Sequence, residues 1–368
     1  MISLLPKIPG FQLFRRFGFP RMLPLNLTVS VTYRCNSRCQ TCRVYEKRSR
    51  EFTLSEFQKT FRSIGRAPYW LTISGGEPFL RDDIVDICLS AYECCHPKII
   101  NIPTNGLLPN VIPNCVDKIS RNSPDTQIIV NLSLDDVGEG HDLIRRAPGN
   151  YDRAMATYSK LRGLKRPNLA VGIHSVISKH NADHFPQVCL GLLDLQPDSY
   201  ITEIAEERVE LGTVGQDIAP SPAAYAQAVD FLSQKIREQR FEGISRITQA
   251  FRLQYYDLVK KIIKEKRQVL PCYAGFLSAQ VAPDGEVWAC CIKAESMGNL
   301  RDVGYDFRKI WHADKADDIR KPIRRKQCFC PLANASYTNM LASYRTMAAV
   351  LKNLASEALR RRPKAVDS

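Results

Sequence analysis

From Leu25 the apolar residues alternate, through Leu27, Val29, Val31 and Tyr33, with the period of a β-strand. Beyond a loop, Thr53 and Glu56 have the spacing of a capping box, and Leu54, Phe57, Phe61 and Ile64 mark the buried face of a helix that Gly65 stops. This strand-loop-helix unit recurs about every thirty residues. Further strands are predicted over 70–74, 99–103, 127–134, 169–177 and 200–205, with helices over 82–94, 111–120, 151–161 and 182–193 between them. Six alternating units predict an α/β fold with a parallel sheet wrapped by helices. Six are too few to close an eight-stranded barrel. Right-handed crossovers would curl them into a partial (β/α)6 TIM-like barrel, with the active site at the carboxyl ends of the strands.

The flanks read differently. Residues 1–24 mix prolines, aromatics and arginines, and hold too many apolar groups for a disordered tail. They read as a strap across the 25–205 barrel, with an interfacial anchor as the alternative. Segment 206–270 is a linker with helices over 222–239 and 244–266. Segment 271–335 is a small cysteine-rich domain built on a hairpin around Pro283-Asp284-Gly285. The remainder, 336–368, is a helix over 337–359 followed by a basic tail; Met340, Tyr344, Met347, Leu351 and Leu354 form its docking stripe.

Composition narrows the setting. The chain has 368 residues, 44% of them apolar, enough for one large and one small domain. Its thirteen cysteines are an odd number, and eight fall in two groups, at 35–42 and 272–330. Without a secretory signal pattern, a reducing cytoplasmic setting fits better than a disulfide framework. No run approaches the ~18 apolar residues of a membrane span. The net charge is +14, but segments 1–24, 259–267, 320–326 and 360–364 together carry +17, so the barrel is close to neutral. Basic borders of this kind read first as solvated faces, and second as contacts for a membrane surface or an anionic partner.

The chemistry centres on Thr32 to Arg43, TYRCNSRCQTCR, which holds Cys35, Cys39 and Cys42. Thiols at C-x3-C-x2-C spacing can bind one iron-sulfur cluster from a single loop and leave one iron open to an exogenous ligand. Structural zinc is the alternative, and it normally takes four protein ligands. The next strand ends in LTISGGEP, Leu71 to Pro78. With both motifs in this order, the chain resembles the radical S-adenosylmethionine (radical SAM) enzymes.

That resemblance implies a catalytic 4Fe-4S cluster on Cys35, Cys39 and Cys42, with S-adenosylmethionine chelating the open iron. It implies that Gly75, Gly76, Glu77 and Pro78 hold the ammonium group of S-adenosylmethionine, the Glu77 side chain among them. Ser133 and Arg145, in NLSLDD…HDLIRR, resemble the pair that binds its carboxylate. Asn105 and Ser175 resemble groups that contact methionyl or ribose oxygens, though both could be turn or core hydrogen-bonders. The family usually places an aromatic residue before the third cysteine; this chain has Thr41, which leaves Val44 or Tyr45 to pack the adenine. Cys272, Gly285 to Cys290, and then Cys328 and Cys330 resemble a SPASM/twitch extension, which implies an auxiliary 4Fe-4S cluster, with Cys291 an alternative to Cys290. A zinc knuckle is the plain reading of the same four thiols. The five remaining cysteines, Cys88, Cys94, Cys95, Cys115 and Cys189, read as small hydrophobes. The end of strand six, TEIAEE, would aim Glu203 or Glu206 at the site mouth, where either could deprotonate a substrate radical or bind an amine; a solvated carboxylate is the plain reading.

Two functions remain. One is a radical SAM oxidoreductase or maturase, fed by a donor such as flavodoxin or ferredoxin, acting on a peptide, a sugar or a lipid-linked small molecule. The short stretch ahead of the barrel weighs against a peptide recognised by this chain alone. The other is a non-catalytic zinc protein acting through its basic surface on nucleic acid or anionic partners.

Overall fold

A computed structural model describes residues 2–238 and 243–360. The basic tail beyond 360 and the junction of the two linker helices lie outside the described residues. Six parallel strands carry the barrel: β1 Asn26–Ser30, β2 Trp70–Ser74, β3 Ile99–Thr104, β4 Gln127–Ser133, β5 Leu169–Ile177 and β6 Ser199–Ile204. They are hydrogen-bonded in sequence order. Strands β2 and β5 match the apolar alternation to the residue, the other strand ends lie within one residue of expectation, and only β1 stops three residues short, at Ser30.

Helix α1, Ile8–Phe17, precedes the barrel. Around the barrel run α2 Leu54–Ile64, α3 Ile84–Cys95, α4 Ile112–Asn122, α5 Gly138–Arg145, α6 Asn150–Gly163 and α7 Phe185–Leu193. The short α5 was not predicted; its sequence, GEGHDLIR, has two glycines and little apolar period. Helices α8, Pro222–Glu238, and α9, Gly243–Glu265, follow β6. No described helix is long and apolar enough to cross a membrane.

The cysteine-rich hairpin is not a detached unit. Its first strand, β7 Ser278–Val281, pairs in parallel with β1, from Asn26 opposite Ser278 to Val29 opposite Val281. Strands β8, Glu286–Trp288, and β9, Ser296–Asn299, continue antiparallel, giving one nine-stranded sheet. An open barrel leaves β1 with unpaired backbone groups along one side, and β7 satisfies them. Short helices α10 Phe307–Trp311 and α11 Asp314–Arg324 follow. The single helix expected over 337–359 is corrected to two, α12 Ala333–Leu341 and α13 Tyr344–Arg360. The cause is local: the Ser343 hydroxyl accepts the Thr346 N–H at 3.3 Å and caps a new helix.

At the amino end, Leu4, Ile8, Phe11 and Phe14 enter the core and Phe14 meets Phe276 edge-on at 5.3 Å. The Arg15 Nε donates to the Cys272 carbonyl at 2.8 Å. Cys88, Cys95 and Cys189 are buried, and Cys94 and Cys115 half-buried against the core.

The capping box forms as spaced, with the Thr53 N–H on Glu56 Oε2 at 2.8 Å. Glu56 also ties the barrel to the β9 turn, accepting from Arg301 Nε at 2.7 Å and from the Tyr305 hydroxyl at 2.9 Å. Hydrogen bonds from Arg301 hold its carboxyl down at about 2. A depressed carboxyl stabilises the fold above its ordinary pKa and loses that contribution as pH falls through the folded value. Arg301→Ala is therefore expected to cost ~2–3 kcal/mol at neutral pH. The gap from the parent protein should close as pH is lowered from about 5 towards 2, read by urea denaturation across pH.

Candidate functional site

The cysteine loop lies at the carboxyl end of β1 and is held from several sides. The Gly76 N–H donates to the Thr32 carbonyl at 2.8 Å and the Glu77 N–H to the Arg34 carbonyl at 2.9 Å. From α5, the Arg145 carbonyl accepts the Arg38 N–H at 3.1 Å and the Ile144 carbonyl accepts the Gln40 N–H at 2.9 Å. The Leu211 carbonyl takes the Arg43 N–H at 2.8 Å. Both glycines are required by this approach. A Cβ on Gly76 would sit 2.2 Å from the Arg34 oxygen, and one on Gly75, at φ +141°, 2.4 Å from the Thr32 oxygen.

Cys35, Cys39 and Cys42 line one cavity with Thr41, Val44, Gly75, Gly76, Asn105, Ser133 and Arg145. Burial pushes the thiols up, Cys35 to about 11 and Cys42 to about 12, and raises Cys39 as well. Loading a metal group here must therefore expel their protons. Arg145 pairs with Asp135 at 2.8 Å and points Nη1 at Cys39 Sγ, 3.7 Å away. Burial opposes the guanidinium charge, but Asp135 and Cys39 outweigh it and keep Arg145 above its ordinary value. Its Nε is buried without a hydrogen-bond partner.

Several predicted residues are placed otherwise. The Glu77 side chain is fully buried, and its oxygens accept from the Phe79 N–H, the Thr104 hydroxyl and the Asn105 N–H at 3.2, 2.9 and 2.7 Å. It is the bolt between the ends of β2 and β3, which corrects the expectation that it reaches the ammonium group. Burial lifts its carboxyl to about 7 despite those donors. Pro78 opens a buried 3-10 turn behind the cavity wall. Ser175 is also corrected: its hydroxyl donates to the Leu134 carbonyl and lies 3.2 Å from the Tyr200 hydroxyl, off the cavity. Side chains alternate along a strand, so His174 and Val176 face the cavity instead. Asn105 lines the cavity but spends its amide on Asn36 Oδ1 at 2.7 Å and Ser37 Oγ at 3.3 Å, bracing the cysteine loop. Val44 faces the cavity, whereas Tyr45 lies under the Arg38 guanidinium at 4.5 Å.

The β5 and β6 wall holds a charged group that the motifs did not announce in full. Arg208 Nη2 lies 3.3 Å from Glu203 Oε1, and His174 Nε2 lies 3.7 Å from the same oxygen. Burial works against the Glu203 charge, yet Arg208 and His174 hold its carboxyl below the ordinary range. Glu206 is pushed up to about 8 by burial, only partly offset by Arg208. Glu206 Oε1 and Arg208 Nε, 4.0 Å apart, are each buried without a hydrogen-bond partner. Glu206 also lies within electrostatic reach of Cys330 and Cys291. Only the strand-end position of Glu203 and Glu206 was legible; Arg208 and His174 carried no motif.

In the second thiol group, Cys272 feels Cys290 and Cys328, and Cys330 feels Cys272 and Cys290. The Cys290 sulfur accepts backbone N–H groups from Lys293 and Ile292. Cys291 instead interacts chiefly with Glu210 and Arg208 and packs on Leu332 and Ala335. Among the described residues no three His, Cys, Asp or Glu side chains converge as ligands of one ion. In a four-iron cluster each thiolate takes a different iron, so its cysteines need not converge on one point.

An open parallel barrel with a three-thiol loop at the carboxyl end of its first strand, and more thiols on a hairpin beside it, defines an iron-sulfur class of barrel protein. Family comparison agrees: residues 29–190 match the radical SAM superfamily and residues 272–331 an iron-sulfur cluster-binding domain, SPASM. The chain belongs to the radical SAM superfamily and carries a SPASM domain. A 4Fe-4S cluster, S-adenosylmethionine and auxiliary iron-sulfur binding come with those domains.

Among curated relatives, the pre-heme d1 synthase of Dinoroseobacter shibae is 29% identical over 163 residues, covering 43% of this chain and 38% of that protein. The antilisterial bacteriocin subtilosin biosynthesis protein AlbA of Bacillus subtilis is 25% identical over 306 residues, covering 79% and 62%. The match thus spans less than two thirds of either relative. The solved structure of anSMEcpe with bound AdoMet and a peptide superposes with a TM-score of 0.59 at 16% identity, covering 92% of this chain and 97% of that one.

Proposed function

We propose that this protein reductively cleaves S-adenosylmethionine and uses the product to abstract hydrogen from an organic substrate held in the barrel cavity. Three half-buried thiols opening on one cavity beside Arg145, whose Nε has no hydrogen-bond partner, carry this reading. Cys35, Cys39 and Cys42 would hold the catalytic cluster. When bound and reduced, that cluster supplies the electron that breaks the sulfonium and yields a 5′-deoxyadenosyl radical.

This chain's residues do the rest. The Gly75-Gly76 backbone lets the cosubstrate lie close against the loop. Arg145, with Ser133 beside it, takes the methionyl carboxylate, and a free guanidinium N–H suits that anion. Val44, Val176, Leu211 and Ile218 supply apolar wall for the adenosyl part and exclude water. Asn105 steadies the cysteine loop. His174, Glu203, Glu206 and Arg208 give the substrate its polar contacts; a neutral Glu206 donates a hydrogen bond or, once ionised, accepts a proton. Cys272, Cys290, Cys328 and Cys330 would hold the auxiliary cluster, with Cys290 favoured over Cys291 because its sulfur interacts with the other three. The reducing electron would come from a flavodoxin- or ferredoxin-type donor. All thirteen cysteines are free, which suits a reducing compartment such as the cytoplasm.

The test is anaerobic reconstitution followed by reduction with dithionite in the presence of S-adenosylmethionine. A brown protein with about eight irons per chain, releasing 5′-deoxyadenosine and methionine, is expected. A colourless zinc protein that releases neither would overturn the reading.

A further inference from the structure

The inner face of the amino-terminal helix is accounted for by packing; its outer face is not. Leu5, Leu13, Phe17 and Phe19 are 45, 46, 64 and 76% exposed, four of the twelve exposed large hydrophobics among the described residues, and all lie within fifteen positions. Single exposed apolar residues are ordinary, but a cluster of this kind marks an interaction surface. Leu13 and Phe17 are four apart on α1 and share one exposed face, beside the buried stripe of Ile8, Phe11 and Phe14.

The rim of that face is cationic. Residues 1–24 contain Lys7, Arg15, Arg16 and Arg21 and no carboxylate. The Arg16 guanidinium sits 5.0 Å from the Phe17 ring. Arg15 Nη2 donates to the Arg324 carbonyl at 3.3 Å, which brings the end of α11, with exposed Arg325 and Lys326, beside α1. Arg21 is paired with Asp317. Lys7, Arg16, Arg325 and Lys326 form no ion pair among the described residues.

We propose that this face docks on an anionic lipid surface, with Leu5, Leu13, Phe17 and Phe19 entering the headgroup layer and Lys7, Arg16, Arg325 and Lys326 meeting lipid phosphates. Charge selects the occupant. A second copy of a chain with net charge +14 would bring like charge to a cationic rim. A nucleic acid would engage the cations and leave the four apolar side chains in water. An anionic bilayer uses both. The helix needs no refolding to bind, because Leu4, Ile8, Phe11 and Phe14 already fix it to the core.

Co-sedimentation of the full-length protein with vesicles tests this without reference to radical chemistry. Binding is expected to vesicles of phosphatidylcholine mixed with phosphatidylglycerol, to weaken as salt is raised, and to be absent with phosphatidylcholine alone. Lys7→Glu and Arg16→Glu should each lower the partition coefficient at least about fivefold, and Phe17→Glu at least about tenfold. These side chains are exposed, so circular dichroism and S-adenosylmethionine cleavage in solution should stay as in the parent. No binding to either vesicle, equal binding to both, or anionic binding untouched by Phe17→Glu would overturn the proposal. So would a dimer that Phe17→Glu splits, or capture by a DNA duplex, without vesicle binding.

Discussion

Replacing Cys35, Cys39 and Cys42 together by alanine is expected to abolish S-adenosylmethionine cleavage and to cut bound iron from about eight to about four atoms per chain. On the proposed assignment, loss of the thiols would remove every protein ligand for one cluster and leave Cys272, Cys290, Cys328 and Cys330 for the other. The fold should survive. The loop is fixed by backbone bonds to Gly76, Glu77, Arg145, Ile144 and Leu211, none of which uses a sulfur. Iron and sulfide analysis, the visible spectrum and 5′-deoxyadenosine release read the three parts of this expectation separately. Continued turnover by the variant would detach the chemistry from this loop.

The second large effect is expected at Arg145. Arg145→Leu strands Asp135, which is almost fully buried, and removing one partner of a buried ion pair costs ~3–5 kcal/mol. It also removes the cation facing Cys39 and a cavity-lining guanidinium whose buried Nε has no hydrogen-bond partner. Stability and cosubstrate binding should therefore fall together. Adding Asp135→Asn to Arg145→Leu separates them: denaturant midpoints should partly recover, because the uncompensated charge is gone. S-adenosylmethionine binding, measured by calorimetry, should not recover. Recovery of both would make Arg145 a structural residue only.

How far the site could be read in the chain depended on how local each signal was. The cysteine loop and the Gly-Gly turn are contiguous motifs, and the close approach of Gly76 to Arg34 explains why glycine stands there. Glu77 belonged to the same motif, yet its role depended on Thr104 and Asn105 from another strand, which no local pattern displays. Ser175 failed through strand geometry, since a shift of one position turns a side chain to the opposite face and exchanges it for His174. Arg208 sits in an irregular loop and acquires meaning only beside Glu203 and Glu206. In the fold, apolar alternation located the six barrel strands. The parallel pairing of β7 with β1 joins segments about 250 residues apart, and neither strand's own sequence specifies that neighbour.

That pairing constrains how such a protein can change over evolutionary time. The strand preceding the cysteine loop is flanked by β2 on one side and by the first strand of the SPASM region on the other. Exchange of the carboxyl-terminal module for a different one would have to bring a replacement strand in the same direction and register. Otherwise the segment leading to the three thiols would become a ragged border, open to pairing with any stray chain.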